Sequence, residues 1–257
     1  MIPKVRFVLP DAEYEVKTLE CFSSCFGDYS SWTKFLFKYN PGLESALKGK
    51  KTKQARLDAI REKYARKALK DNKKDLDERR KTFQKEWNKL NTDFMKSAEK
   101  VIEHKWWLKT IKARVSLVTV NPRFLEDTSI GVWYRQTTSY LKETVAHECV
   151  HFLYFKKFKE VFPEISEKTY SGHNSLVWSL SEVLVAVILN QPEIRKFLDR
   201  DARSYEHFEK RKLPNGQFMV KHFQKLFNSN RKKKLSFADN LKSCYNDAEK
   251  YQKYLKE

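Results

Sequence analysis

The five residues His147-Glu148-Cys149-Val150-His151 hold the densest chemistry in the chain. Two histidines four apart on a helix project from one face, about 40° apart, as two ligands of one tetrahedral zinc ion require. Glu148 stands one position round the helix. From there its carboxylate can hold and deprotonate a water whose pKa a zinc ion brings down to about 7. The motif therefore predicts one catalytic Zn2+ bound by His147 and His151, with Glu148 as general base. The ordinary alternative is a pair of satisfied surface histidines.

A catalytic zinc normally takes three protein ligands and leaves a fourth position for water. Glu182 is the expected third ligand. It lies inside Leu176 to Leu189, a stretch apolar on nearly every side, so its helix should be buried. A buried carboxylate is costly unless it is paired or bound to metal. Pairing with an arginine or tyrosine would be the purely structural solution. His173, in Ser171-Gly172-His173-Asn174, is the competing third ligand. Nine residues separate it from Glu182, a half-integral number of helical turns, so one ion should take one or the other. If Glu182 binds, His173 or Tyr170 could steady the oxyanion.

These residues need elements to position them. Ala113 to Val120 is short and β-branched and reads as a strand. Ser129 to Gln136 reads as a second, expected antiparallel to it. Thr137, Thr138 or Ser139 can cap a helix running to about Phe158, with Glu143 in its first turn. On that helix Leu141, Val145, Cys149 and Phe152 form an apolar stripe, whereas His147, His151 and Tyr154 fall on another face, expected to border a cleft. A further helix should start near Asn174 or Ser175 and end at Asn190, before Pro192.

Upstream, Val5 to Leu9 reads as a strand. No proline or glycine occurs from Thr52 to Lys109, where Leu69, Leu76, Phe83 and Leu90 recur every seven residues beside Trp87, Phe94, Val101 and Leu108. That pattern predicts a long helix, or a hairpin bent near Asp71-Asn72, with Trp106-Trp107 as its root in the core. The expected fold class is α+β, mainly helical, with a small antiparallel sheet and a long helical arm. The expected segments are an N-terminal strand and irregular stretch (1–50), a basic helical arm (51–111), a catalytic core (112–200) and a basic helical C-terminal region (201–257), all of which could form one integrated domain.

A strand, an edge strand and then a helix bearing HExxH resemble the zincin metallopeptidases over roughly residues 112 to 190. The resemblance implies peptide hydrolysis, with His147 and His151 on zinc, Glu148 as base and a peptide or protein substrate along the edge strand Ser129 to Gln136. The metzincin branch would need Gly at position 154 and His at 157, where Tyr154 and Lys157 stand. Glu182, on a second helix downstream, resembles the gluzincin arrangement. His173, with Trp178 after it, resembles the SprT-like zinc proteases, which act on DNA-bound protein. Asn174 and the long gap from His151 depart from that pattern.

Charge adds a second theme, because 52 Lys and Arg face 33 Asp and Glu, for a net +19. Residues 48–114 carry 23 basic and 10 acidic side chains, and residues 195–257 carry 17 and 8, while the stretch between them is close to neutral. Such arms can attract nucleic acid or another anionic partner by releasing counterions, and Arg231-Lys232-Lys233-Lys234 is the best candidate contact. A nucleic-acid-associated or assembly protein on a zincin-like fold is thus the alternative function. Cys21, Cys25, Cys149 and Cys244 are scattered and read as buried free thiols of a reducing compartment. With neither a signal-like nor a membrane-spanning run, the expectation is cytoplasmic, with no membrane partner.

Overall fold

The computed structural model describes residues 1–22, 31–170 and 175–256. In chain order the first elements are strand β1 (Lys4–Val8) and helices α1 (Ala12–Phe22), α2 (Ser31–Tyr39), α3 (Leu43–Leu47) and α4 (Lys53–Ala59). A π-helical turn (Ile60–Ala65) leads into α5 (Arg66–Asp71), α6 (Lys73–Asn88) and α7 (Asn91–Ile102). Strands β2 (Thr110–Ser116), β3 (Arg123–Phe124) and β4 (Ser129–Trp133) precede α8 (Thr138–Val161) and α9 (Leu176–Leu189). The chain closes with α10 (Pro192–Arg195), α11 (Glu206–Lys210), α12 (Met219–Lys232), α13 (Phe237–Lys250) and α14 (Gln252–Leu255). The class is α+β and mainly helical. No described helix is long and apolar enough to cross a membrane.

The chain divides into two compact units. A sheet unit comprises Lys4–Lys89 and Thr110–Val145, and a helical unit comprises Met1–Pro3, Leu90–Lys109 and Ala146–Glu257.

The sheet unit holds one four-stranded sheet in the order β1-β2-β4-β3. It is mixed, not antiparallel. β1 and β4 both run parallel to β2, with Phe7 opposite Ala113 and Val115 opposite Val132, and only the short β3 is antiparallel to β4. Residues 117–128, about a dozen, form a crossover long enough to bring β4 back parallel to β2, where a tight hairpin would have reversed it.

The strand expected to be a free edge is internal. Arg123 and Phe124 of β3 pair with Ile130 and Ser129, Gly131 N donates to Pro122 O at 2.7 Å, and Trp133 N donates to Asn121 Oδ1 at 3.0 Å. Backbone groups already bonded on both sides cannot recruit a substrate strand. Gly131 is required by this close approach, since a Cβ there would lie 2.4 Å from Pro122 Cδ and 2.7 Å from the Tyr14 hydroxyl. The outer edge of β1 is also covered, as the Gln84 amide accepts from Phe7 N and donates to Val5 O, both at 3.0 Å.

The proline-free and glycine-free stretch forms no single arm. It breaks at Asn72, as expected for a bend near Asp71-Asn72, and again near Leu90. α6 buries Leu76, Phe83 and Trp87 and packs on β1 and β2, while α7 buries Phe94, Met95, Ala98 and Ile102 in the helical unit. The seven-residue repeat thus reports two helices serving two cores. Trp106 is buried, with its indole N–H on Met95 O at 3.0 Å, but Trp107 is 44% exposed, contrary to a shared place in the core. Cys149 and Cys244 are buried free thiols, Cys21 is exposed, and Cys25 lies outside the described residues.

Inside the sheet unit, Glu15 of α1 is fully buried and accepts from Ser116 Oγ at 2.6 Å and Leu117 N at 2.9 Å. Burial pushes its carboxyl up to about 7, against the pull of these hydrogen bonds. The folded state therefore prefers the protonated acid more than the unfolded chain does, whose glutamates titrate near about 4.3. The resulting stabilisation is fully present below about pH 4.3 and lost as pH rises through 7, a change on the order of 3 kcal/mol. The urea midpoint is expected to fall between pH 5 and pH 8, with a flatter slope in Glu15→Gln. Equal slopes in both proteins would contradict this assignment.

Candidate metal centre

The helical unit builds the site from the part of α8 that begins at Ala146 and from α9. α8 carries its motif in a segment buried on all sides: Cys149, Val150, Phe152, Leu153, Tyr154 and Phe155 are all buried. The face bearing His151 and Tyr154 is therefore core, where an open cleft was expected. Only His147 keeps access, its side chain 17% exposed against 0% for His151. The second helix, α9, begins at Ser175, whose hydroxyl caps it by accepting from Trp178 N at 3.0 Å. Every residue of α9 but Trp178 is buried, and α10, α12, α13 and α14 pack against it. Uniform apolarity leaves no solvent face to lose.

Into this apolar setting α9 projects one carboxylate. Glu182 Oε2 lies 3.1 Å from His147 Nε2 and 3.4 Å from His151 Nε2, and the two Nε2 atoms are 3.0 Å apart. The imidazoles meet edge to face at 4.7 Å, and His151 is stacked on Phe155 one turn on, which holds its ring. Burial on its own would raise the Glu182 carboxyl, but the charge of His151 and hydrogen bonds with both histidines hold it well below the usual range.

Among the described residues, His147, His151 and Glu182 form the group that could hold a metal ion, with one ligand atom each, all within 4.8 Å of one another. The donor set fits. Bonds of about 2.0–2.1 Å at a tetrahedral angle place ligand atoms about 3.3 Å apart, close to the separations found. Two imidazole nitrogens and one carboxylate oxygen converge within 3.0 to 3.4 Å of one another, and one cation between them would satisfy all three. Glu148, next along α8 and about 100° further round, is buried and is not one of the three.

His173 lies outside the described residues. Tyr170 is buried and stacks on Phe155 at 4.8 Å, one ring removed from His151, and burial pushes its phenol up to about 12. A neighbouring feature escaped the sequence reading. The segment from Ala202 to Phe208 runs beside α9: Ala202 exchanges two hydrogen bonds with the Asn190 side chain, Ser204 Oγ donates to Glu182 O at 3.1 Å, and Tyr205 packs on Trp178 at 5.7 Å. These contacts brace α9 and set an aromatic pair one turn from Glu182. No periodicity marks a short connection of this kind, so only the fold could show it.

The chain matches no family model, no curated protein and no solved structure.

Proposed function

We propose that this chain is a zinc-dependent metallopeptidase with a gluzincin-like ligand set. The supporting observation is the convergence of His147, His151 and Glu182 from two helices beside Glu148. His147 and His151 would hold the ion through Nε2 and Glu182 through a carboxylate oxygen, leaving one position of four open. When bound, zinc supplies a Lewis acid that polarises a carbonyl oxygen and makes water acidic near neutral pH.

The protein's own part is proton transfer. Glu148 takes a proton from the attacking water as its oxygen adds to the peptide carbon, then delivers that proton to the departing amine nitrogen as the C–N bond breaks. Its burial limits competition from bulk water for the carboxylate. Tyr170, kept neutral by burial, is the candidate donor to the oxyanion. With strand 129–133 closed to a substrate strand, the aromatic pair Trp178 and Tyr205 is the proposed wall for the substrate.

Dialysis against a chelator tests the reading. Hydrolysis of an unfolded protein substrate should disappear, the melting temperature should fall, and one equivalent of zinc should restore both. A ligand at a thousand times its Kd stabilises by about 4 kcal/mol, so the thermal shift should be plain. Hydrolysis that survives chelation, or no hydrolysis by the zinc-loaded chain, would overturn it.

A further inference from the structure

We infer that the helical unit carries a second binding surface, a basic and aromatic platform for single-stranded nucleic acid centred on Trp107. The loop after α7 buries Trp106 and turns Trp107 outward. The exposed ring is stacked on Trp106 at an interplanar angle of 25°, and Lys156 Nζ sits 5.5 Å above its centroid. Lys105, two residues before it, is 86% exposed along its side chain, and Lys109 is exposed as well.

The fold brings a distant basic run to this loop. Glu103 at the end of α7 accepts from Phe237 N, the first residue of α13, at 2.9 Å. Lys234 is three residues before Phe237, so its Cα lies within about 11 Å of that contact. Lys232, Lys233 and Lys234 are all exposed, whereas Arg231 is engaged by Glu193 at 2.7 Å and Gln191 at 2.6 Å. Of the nearby carboxylates, Glu99 is buried and paired with Lys105, Glu160 pairs with His104 and Lys157, and Glu103 accepts from Phe237 N while keeping its charge. Exposed Lys109, Lys232, Lys233 and Lys234 outnumber that one carboxylate, so the exposed charge is predominantly positive.

An exposed indole among lysines suits an unpaired base, which takes the place of the Lys156 ammonium over the ring while that ammonium and its neighbours turn to the flanking phosphates. A duplex keeps its base faces covered. A membrane surface would be met by an apolar helix face inserted as a wedge, and here one ring lies flat beneath a lysine.

The test is fluorescence anisotropy on the full chain with a labelled single-stranded DNA, the same sequence as duplex, and vesicles of mixed phosphatidylserine and phosphatidylcholine. Single strands should bind most tightly, with affinity falling steeply with salt. Trp107→Ala should weaken binding roughly tenfold or more, Trp107→Phe should retain most of it, and the melting temperature should stay unchanged in both. Replacing Lys232, Lys233 and Lys234 with Ala should reduce the salt slope. Indifference to Trp107→Ala, equal binding of duplex, or binding to vesicles alone would each overturn the inference.

Discussion

The Glu148→Gln variant is expected to keep its zinc and to lose about a thousandfold in peptide hydrolysis, the middle of the range that a positioned acid–base group contributes. The amide is isosteric with the carboxylate, so the packing of α8 should survive, and Glu148 is outside the three-atom ligand group. The amide cannot accept the proton that attack releases or return it to the amine. Zinc content by mass spectrometry and kcat/KM should therefore separate completely. Turnover within tenfold of wild type would remove Glu148 from the mechanism. Loss of zinc together with activity would instead make it a residue that supports the ligands.

Changing Glu182 should have the opposite signature. Glu182→Gln is expected to weaken zinc binding by more than about 100-fold, since losing even an outer-shell partner commonly costs 10–100-fold. The neutral amide still fills its place in α9, so the chain should fold, with the stability of the chelated wild type. His147 and His151 would remain as a two-ligand remnant. Competition against a zinc-binding dye gives the affinity, and melting with and without zinc shows whether the ion still stabilises the fold. Undiminished zinc in Glu182→Gln, with loss in His173→Ala, would reassign the third ligand. The two variants thus distinguish binding from chemistry: one keeps the ion and loses the reaction, while the other loses the ion.

Much of the grouping of His147, His151 and Glu182 was legible because its signals are local. Two histidines four apart need only a helix to share a face, and α8 supplies it over Thr138–Val161. Glu182 was legible by contradiction, as a charge inside a helix with no polar face. In the structure that charge meets the histidines at 3.1 and 3.4 Å. Ser175 and the break at Asn72 were readable for the same reason, since caps and bends are written within a few residues of where they act.

Nonlocal pairing was not legible. β-branched residues mark β2 and β4 as strands, but direction and edge depend on what the intervening residues do, and here Asn121 to Phe124 close the side that was expected to be open. Helical periodicity likewise reads one continuous seam from Leu69 to Leu108, because a repeat does not show that the two ends of the seam enter different cores. The motif His147 to His151 was recognisable by itself. Its surroundings, a fully buried His151, an Ala202–Phe208 segment bracing α9 and a Trp107 turned outward beside Trp106, came only with tertiary structure, because burial is settled by which distant surfaces meet.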